Sequence, residues 1–210
     1  MSRAAVFSVG FLGVLGVLFA IEHFLDTHHY NPGFYEYPVT IRLHVGLGGL
    51  FLALALLQIC TRIRGAFPRV HRVVGRVAVA AGLVSGVTAV LAIVLFPFSG
   101  SGMVFFVAPF AIYFAVALVR GYVSARQRKF AEHRRWMIRA LAIASAIATQ
   151  RLIFLPTLAV FGTDEFTIRW ASMFAFTLAF IIHSIAAEFW IRLGRPQPTK
   201  PEPHQTALRS

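Results

Sequence analysis

The chain has 210 residues, 58% of them hydrophobic and 13% charged, with a formal net charge of +12. So few charges exclude an ordinary soluble domain, in which about a quarter of the residues are charged. The basic excess does not point to nucleic acid either, because the charges fall between long apolar blocks and form no continuous polar surface.

Those blocks predict an all-α, polytopic transmembrane bundle of six helices, each near or above the ~20 residues that cross a bilayer core. The first, Ala4–Leu25, follows Arg3 as a signal peptide would. Its apolar run is too long for that, and Glu22-His23-Phe24-Leu25 offers no small-residue cleavage site, so it is expected to remain as a helix. A loop from Asp26 to Thr40 follows, whose aromatic residues suit the membrane interface. The second helix is predicted over Ile41–Cys60 and the third over Val73–Phe98. The short Pro- and Gly-containing turn Pro97–Gly102 makes the third and the fourth, Met103–Val123, antiparallel neighbours. The fifth is predicted over Met137–Phe161 and the sixth over Ile168–Ile191. Gly10, Gly13 and Gly16, the cluster Gly46, Gly48 and Gly49, and the pair Gly82 and Gly86 read as close-approach points between helices. Residues 1–195 make a single membrane domain, and the Pro-rich tail 196–210 is expected to be a disordered cytoplasmic segment.

Charge sets the expected sidedness. Most of the 20 basic residues lie in the second-to-third and fourth-to-fifth connections and the two ends of the chain, whereas Glu22, Asp26, Glu36, Asp164 and Glu165 lie on the other side. A Lys/Arg excess in short connections marks the cytoplasm. Both termini are therefore expected to be cytoplasmic, in a bacterial plasma (inner) membrane, with anionic lipids as partners of the basic rim.

Polar side chains at membrane depth are costly and so are the candidates for function. On the basic side these are His71, Arg72 and Arg76, then His133, Arg134, Arg135 and Arg139, with Gln58, His183 and Glu188. If the third, fifth and sixth helices meet, His71, His133 and His183 would face one pocket as metal ligands, and the arginines would suit haem propionates. His183 sits about 10 Å deeper than the other two by helix rise, so such pairing requires a helix to begin earlier than drawn. On the opposite side the set is Glu22, His23, Asp26, Arg42, His44, Gln150 and Arg151, expected as an internal ion pair or as an outer pocket for a quinone, a haem or a small anion. A structural account is available for every one of them: topology signals, lipid contacts, or hydrogen bonds across helices. His23, His28 and His29 match no metalloprotease spacing, and the lone Cys60 excludes an intrachain disulfide.

The run of His44, Gln58, His71-Arg72-x-x-Gly75-Arg76, His133-Arg134-Arg135-Trp136-Met137-x-Arg139 and Arg151 resembles the bacterial membrane-protein family known as domain of unknown function 2306. The resemblance spans about residues 40 to 155. It implies that these positions correspond to the family pattern, supplies no activity, and leaves His183 outside. The chain is more loosely similar to six-helix cytochromes of the b561 type, which hold two haems on four helix-borne histidines. It departs from them in having one clear helix-borne histidine, His44, on the outer side. Two function classes follow. One is a b-type haem- or quinone-binding protein acting in membrane electron transfer with a redox partner, resting on His44, His71, His133 and His183. The other is binding or transport of a lipid or small solute, or an accessory subunit, resting on Arg151 and the basic rim.

Overall fold

The computed structural model describes residues 3–25, 38–95 and 100–193. The aromatic loop with Asp26, His28 and His29, the tail 196–210 and the side chain of His23 lie outside that part. Six long helices and one short one are described: α1 (Arg3–Leu25), α2 (Pro38–Ile59), α3 (Thr61–Ala66), α4 (Pro68–Leu95), α5 (Met103–Arg126), α6 (Phe130–Phe161) and α7 (Glu165–Leu193). Five of them, α2 and α4 to α7, are long and apolar enough to cross a membrane, and α1 adds the shorter apolar stretch Phe7–Glu22.

Local chemistry sets the boundaries. Pro38 and Pro68 stand at first helical positions, where the missing N–H costs nothing. Cys60 takes an extended conformation and separates α2 from α3. Arg128, in the left-handed region at φ 61°, turns the chain between α5 and α6, and Lys129 N–H donates to the Ser124 carbonyl across that turn at 2.8 Å. Gly162, at φ 99°, ends α6 in a conformation that L side chains rarely adopt. Asp164 then caps α7, accepting from the Thr167 backbone N–H at 3.1 Å and from the Thr167 hydroxyl at 2.5 Å.

The fourth and sixth apolar segments are close to the expected ones, but two helices begin well before their apolar runs. α4 starts at Pro68 instead of Val73, and α6 at Phe130 instead of Met137. Arginine is a good helix former that hydropathy discards, so His71, Arg72 and the run His133 to Trp136 lie within helices. With 32 residues α6 is about 48 Å long, which exceeds a ~30 Å hydrocarbon core and carries its basic first turns past it.

Sequential helices pack as neighbours, and α6 lies at the centre, touching α1, α2, α5 and α7. Lipid tails are as apolar as leucine, so burial gives little drive between membrane helices and close contact must replace it. The buried faces are accordingly small. Ala140, Ala146 and Ala148 of α6 and Ala171, Ala175 and Ala179 of α7 are wholly buried. The main apolar cluster joins Phe51 and Leu52 of α2, Ala78 and Ala81 of α4, Phe114 and Leu118 of α5 and Leu141 of α6, with the Phe51 and Phe114 rings edge to face at 5.3 Å. Only 22–33% of each crossing window is buried within the bundle, and the remaining apolar surface calls for lipid.

Two predictions follow from this packing. A Cβ on Gly82 would fall 2.8 Å from Leu118 Cδ1 and 2.9 Å from Phe51 Cδ2. Gly82→Val should therefore destabilise the bundle by about 1–3 kcal/mol, read as a lowered unfolding midpoint in mixed micelles. At the α7 cap, the two hydrogen bonds from Thr167 hold the Asp164 pKa below its ordinary value. A carboxylate so lowered stabilises the fold above its unfolded pKa of about 3.9, and the contribution is lost as pH falls through the folded value. Amide exchange over the first turn of α7, corrected for intrinsic rate, should rise on acidification below about pH 4 in the native chain and stay flat in Asp164→Asn.

Candidate ligand cavity

The Arg-rich connections gather at one end of the bundle, here called the basic end. The polar residues nearer the opposite end surround a cavity of about 1240 Å³ to which all six long helices contribute. Ligand pockets are commonly about 300–1,000 Å³, so this one exceeds the needs of a free inorganic anion. Its walls are mostly apolar, with Phe51, Leu52, Phe114 and Phe180 towards the middle of the bundle and Met103, Leu158 and Ile168 towards the opposite end. Between these levels runs a polar belt of Glu22, Arg42, His44, Ser85, Gln150 and Arg151. By helix rise Ser85 and Arg151 each sit about 15 Å in from the ends of α4 and α6.

His44 is fixed by reciprocal contacts with α4. Its Nδ1–H donates to the Ser85 carbonyl at 2.9 Å, and the Ser85 hydroxyl donates to the His44 carbonyl at 2.9 Å. A carbonyl can only accept, so Nδ1 carries the proton and Nε2 of the neutral ring is an acceptor. Gly48 permits this approach, since a Cβ there would lie 2.9 Å from Ser85 Oγ. Gln150 is 1% exposed, and its Oε1 has no hydrogen-bond partner among the described residues. An orphaned buried acceptor costs about 1–3 kcal/mol. Arg151 feels the charge of Glu22 through space, but among the described residues the ion pairs within 4 Å are Arg139–Glu188 and Arg169–Glu165. The belt thus brings guanidinium donors from Arg42 and Arg151 beside acceptors on His44 and Glu22, inside apolar walls.

The structure does not bring His71, His133 and His183 into one ligand set. Among the described residues no three His, Cys, Asp or Glu side chains lie together as a metal site. His183 is held between α6 and α7, where its Nε2 meets the Thr149 hydroxyl at 2.8 Å. That nitrogen cannot bind iron without giving up this contact. His133 Nδ1 donates to the Gly121 carbonyl at 2.9 Å. His71 interacts electrostatically with His133 and Arg64, and its buried Nδ1, like Gln58 Nε2, has no partner among the described residues. Arg139 is committed to Glu188 by a two-pronged pair at 2.6 and 3.0 Å, which Tyr113 joins at 3.4 Å. The Trp136 ring has Arg139 at 4.6 Å and Arg120 at 5.5 Å from its centroid. Arg72, Arg76 and Arg134 are exposed.

Of the expected site residues, then, Glu22, Arg42, His44, Gln150 and Arg151 border the cavity, and the basic-end residues do not line it. The partners Ser85 and Thr149 went unread, because a single hydroxyl inside an apolar helix has no periodic signal. The adjacent Thr149-Gln150 and the Gly82-x2-Ser85-Gly86 spacing are equally typical of packing.

Apolar crossing helices, an outer surface that calls for lipid and a single helical bundle define an all-α, polytopic membrane protein. Residues 41–191 match the family model described as predicted membrane protein (DUF2306), and the chain belongs to that family. No curated protein and no solved structure matches it.

The His183–Thr149 contact yields a measurable expectation. A double-mutant cycle of His183→Phe and Thr149→Val should show a coupling of about 1 kcal/mol in mixed-micelle unfolding, within the range of interhelical hydrogen bonds. A coupling near zero would show that the two side chains act independently.

Proposed function

We propose that the cavity binds an isoprenoid-type quinone and that the protein takes part in membrane electron transfer with a separate redox partner. The observation that carries the reading is that Arg42, His44 and Arg151 line an otherwise mostly apolar cavity far larger than an ion needs. A quinone ring offers carbonyl acceptors, which suit the guanidinium donors. Its reduced form offers hydroxyl donors, which suit His44 Nε2. The apolar remainder of the cavity suits the ring substituents. Haem finds less support, because among the described residues His44 is the one histidine lining the cavity, and His133 and His183 are separately engaged. A transported anion would leave most of the apolar volume unfilled.

The surrounding topology supports the same setting. Six crossings, the basic end and both termini in the cytoplasm, a bacterial plasma membrane and anionic headgroups around Arg72, Arg76 and Arg134 agree with the charge bias. The quinone head would then sit in the half of the bilayer away from the cytoplasm.

Binding of a benzoquinone to the full chain in nanodiscs tests the proposal. Arg151→Leu should raise Kd at least about tenfold, or ~1.4 kcal/mol, and His44→Leu should raise it several-fold. Arg134→Gln, on the exposed rim, should leave it unchanged. Equal affinities in Arg151→Leu and Arg134→Gln would exclude the cavity as the binding site.

A further inference from the structure

The cavity wall between α1 and α2 is thin. Outside it, on the lipid-facing surface, runs a groove of about 410 Å³. Ala20, Phe24, Val45 and Gly49 line both groove and cavity, so one layer of side chains separates the two. That layer is thin because the helices meet through glycines. A Cβ on Gly49 would fall 2.9 Å from Ala20 Cβ, and one on Gly46 would fall 3.2 Å from Phe24 Cε2. Phe24 is the movable member: it is 45% exposed and lies against a residue with no side chain, so a rotamer change would carry its ring aside without moving backbone.

Among the described residues no charged or hydrogen-bonding side chain lines the groove, and Ile21, Leu25 and Leu50 around it are exposed apolar residues. By helix rise, Gly49 lies about 16 Å in from the start of α2, well within the hydrocarbon. The occupant that fits is a hydrocarbon chain. A polar solute has nothing to bond there, and continuity with the cavity singles out a chain whose head is inside.

Resting on the quinone reading, we propose that the ligand's alkyl or isoprenoid tail leaves the cavity between α1 and α2, displacing Phe24, and lies in this outer groove. The groove is then a tail subsite, and it makes the protein select tailed quinones over tail-less ones. It also gives the ligand a path to the cavity from the bilayer.

Two probes separate this inference from the reading beneath it: a benzoquinone ring carrying only methyl groups, and the same ring with a decyl tail, both titrated against the full chain in nanodiscs. Leu50→Trp fills the groove from a residue that does not line the cavity, and Gly46→Leu presses on Phe24. Each should weaken the decyl probe at least about tenfold while holding the methyl probe within about twofold. Phe24→Ala should speed association of the decyl probe more than that of the methyl probe. Arg151→Leu should weaken both. Retained methyl-probe binding certifies the fold of each groove variant. If Leu50→Trp changes neither the affinity of the decyl probe nor its ratio to the methyl probe, the tail subsite is overturned and the head site stands. If both probes ignore Arg151→Leu, the head site falls and the tail subsite with it.

Discussion

In a bilayer the helices cannot be driven together by the exclusion of water, so the bundle depends on how closely their backbones approach. The contact faces of α6 and α7 show the solution. Ala140, Ala146 and Ala148 on one helix and Ala171, Ala175 and Ala179 on the other are buried completely, and glycines at 49 and 82 admit Ala20, Leu118 and Phe51. Small residues give contact area without side-chain entropy to lose, and they draw α6 into the middle of the molecule. Everything else is arranged around that helix.

The same closeness accounts for the cavity. Where small residues face one another the helices touch, and where Phe51, Phe114 and Phe180 intervene the helices are held apart. The space so opened runs from mid-bundle towards the end away from the arginines. A polar belt at that depth is expensive, since each guanidinium and amide has given up water. The bundle satisfies some of the belt internally, as in the clasp of His44 with Ser85, and leaves Gln150 Oε1 without a described partner. At the basic end Arg139, Glu188, Tyr113 and Trp136 complete one another across three helices, and His183 joins α7 to α6 through Thr149. His71 Nδ1 and Gln58 Nε2 there are without described partners, as Gln150 Oε1 is. What sets the other end apart is that its guanidiniums and His44 line a roomy cavity.

The hydropathy of the chain and the resemblance of its His/Arg motifs were enough to establish an all-α membrane bundle of this family, because length, apolarity and local motifs are properties of contiguous residues. The starts of α4 and α6 were less legible, since the arginines that extend those helices lower the hydropathy by which helices are drawn. The alanine stripe of α7 was also silent, alanine being common in any helix.

What the tertiary structure alone decided is which polar residues share a space. Histidines 71, 133 and 183 look like one group along the chain, yet the folded bundle gives His133 the Gly121 carbonyl and His183 the Thr149 hydroxyl, and leaves His71 Nδ1 without a described partner. His44 and Arg151 are more than a hundred positions apart, and the packing of α2 and α6 places both on one cavity. Sequence fixes the depth of a residue in a membrane helix through the 1.5 Å rise, but the direction it faces depends on neighbours that only the folded bundle supplies.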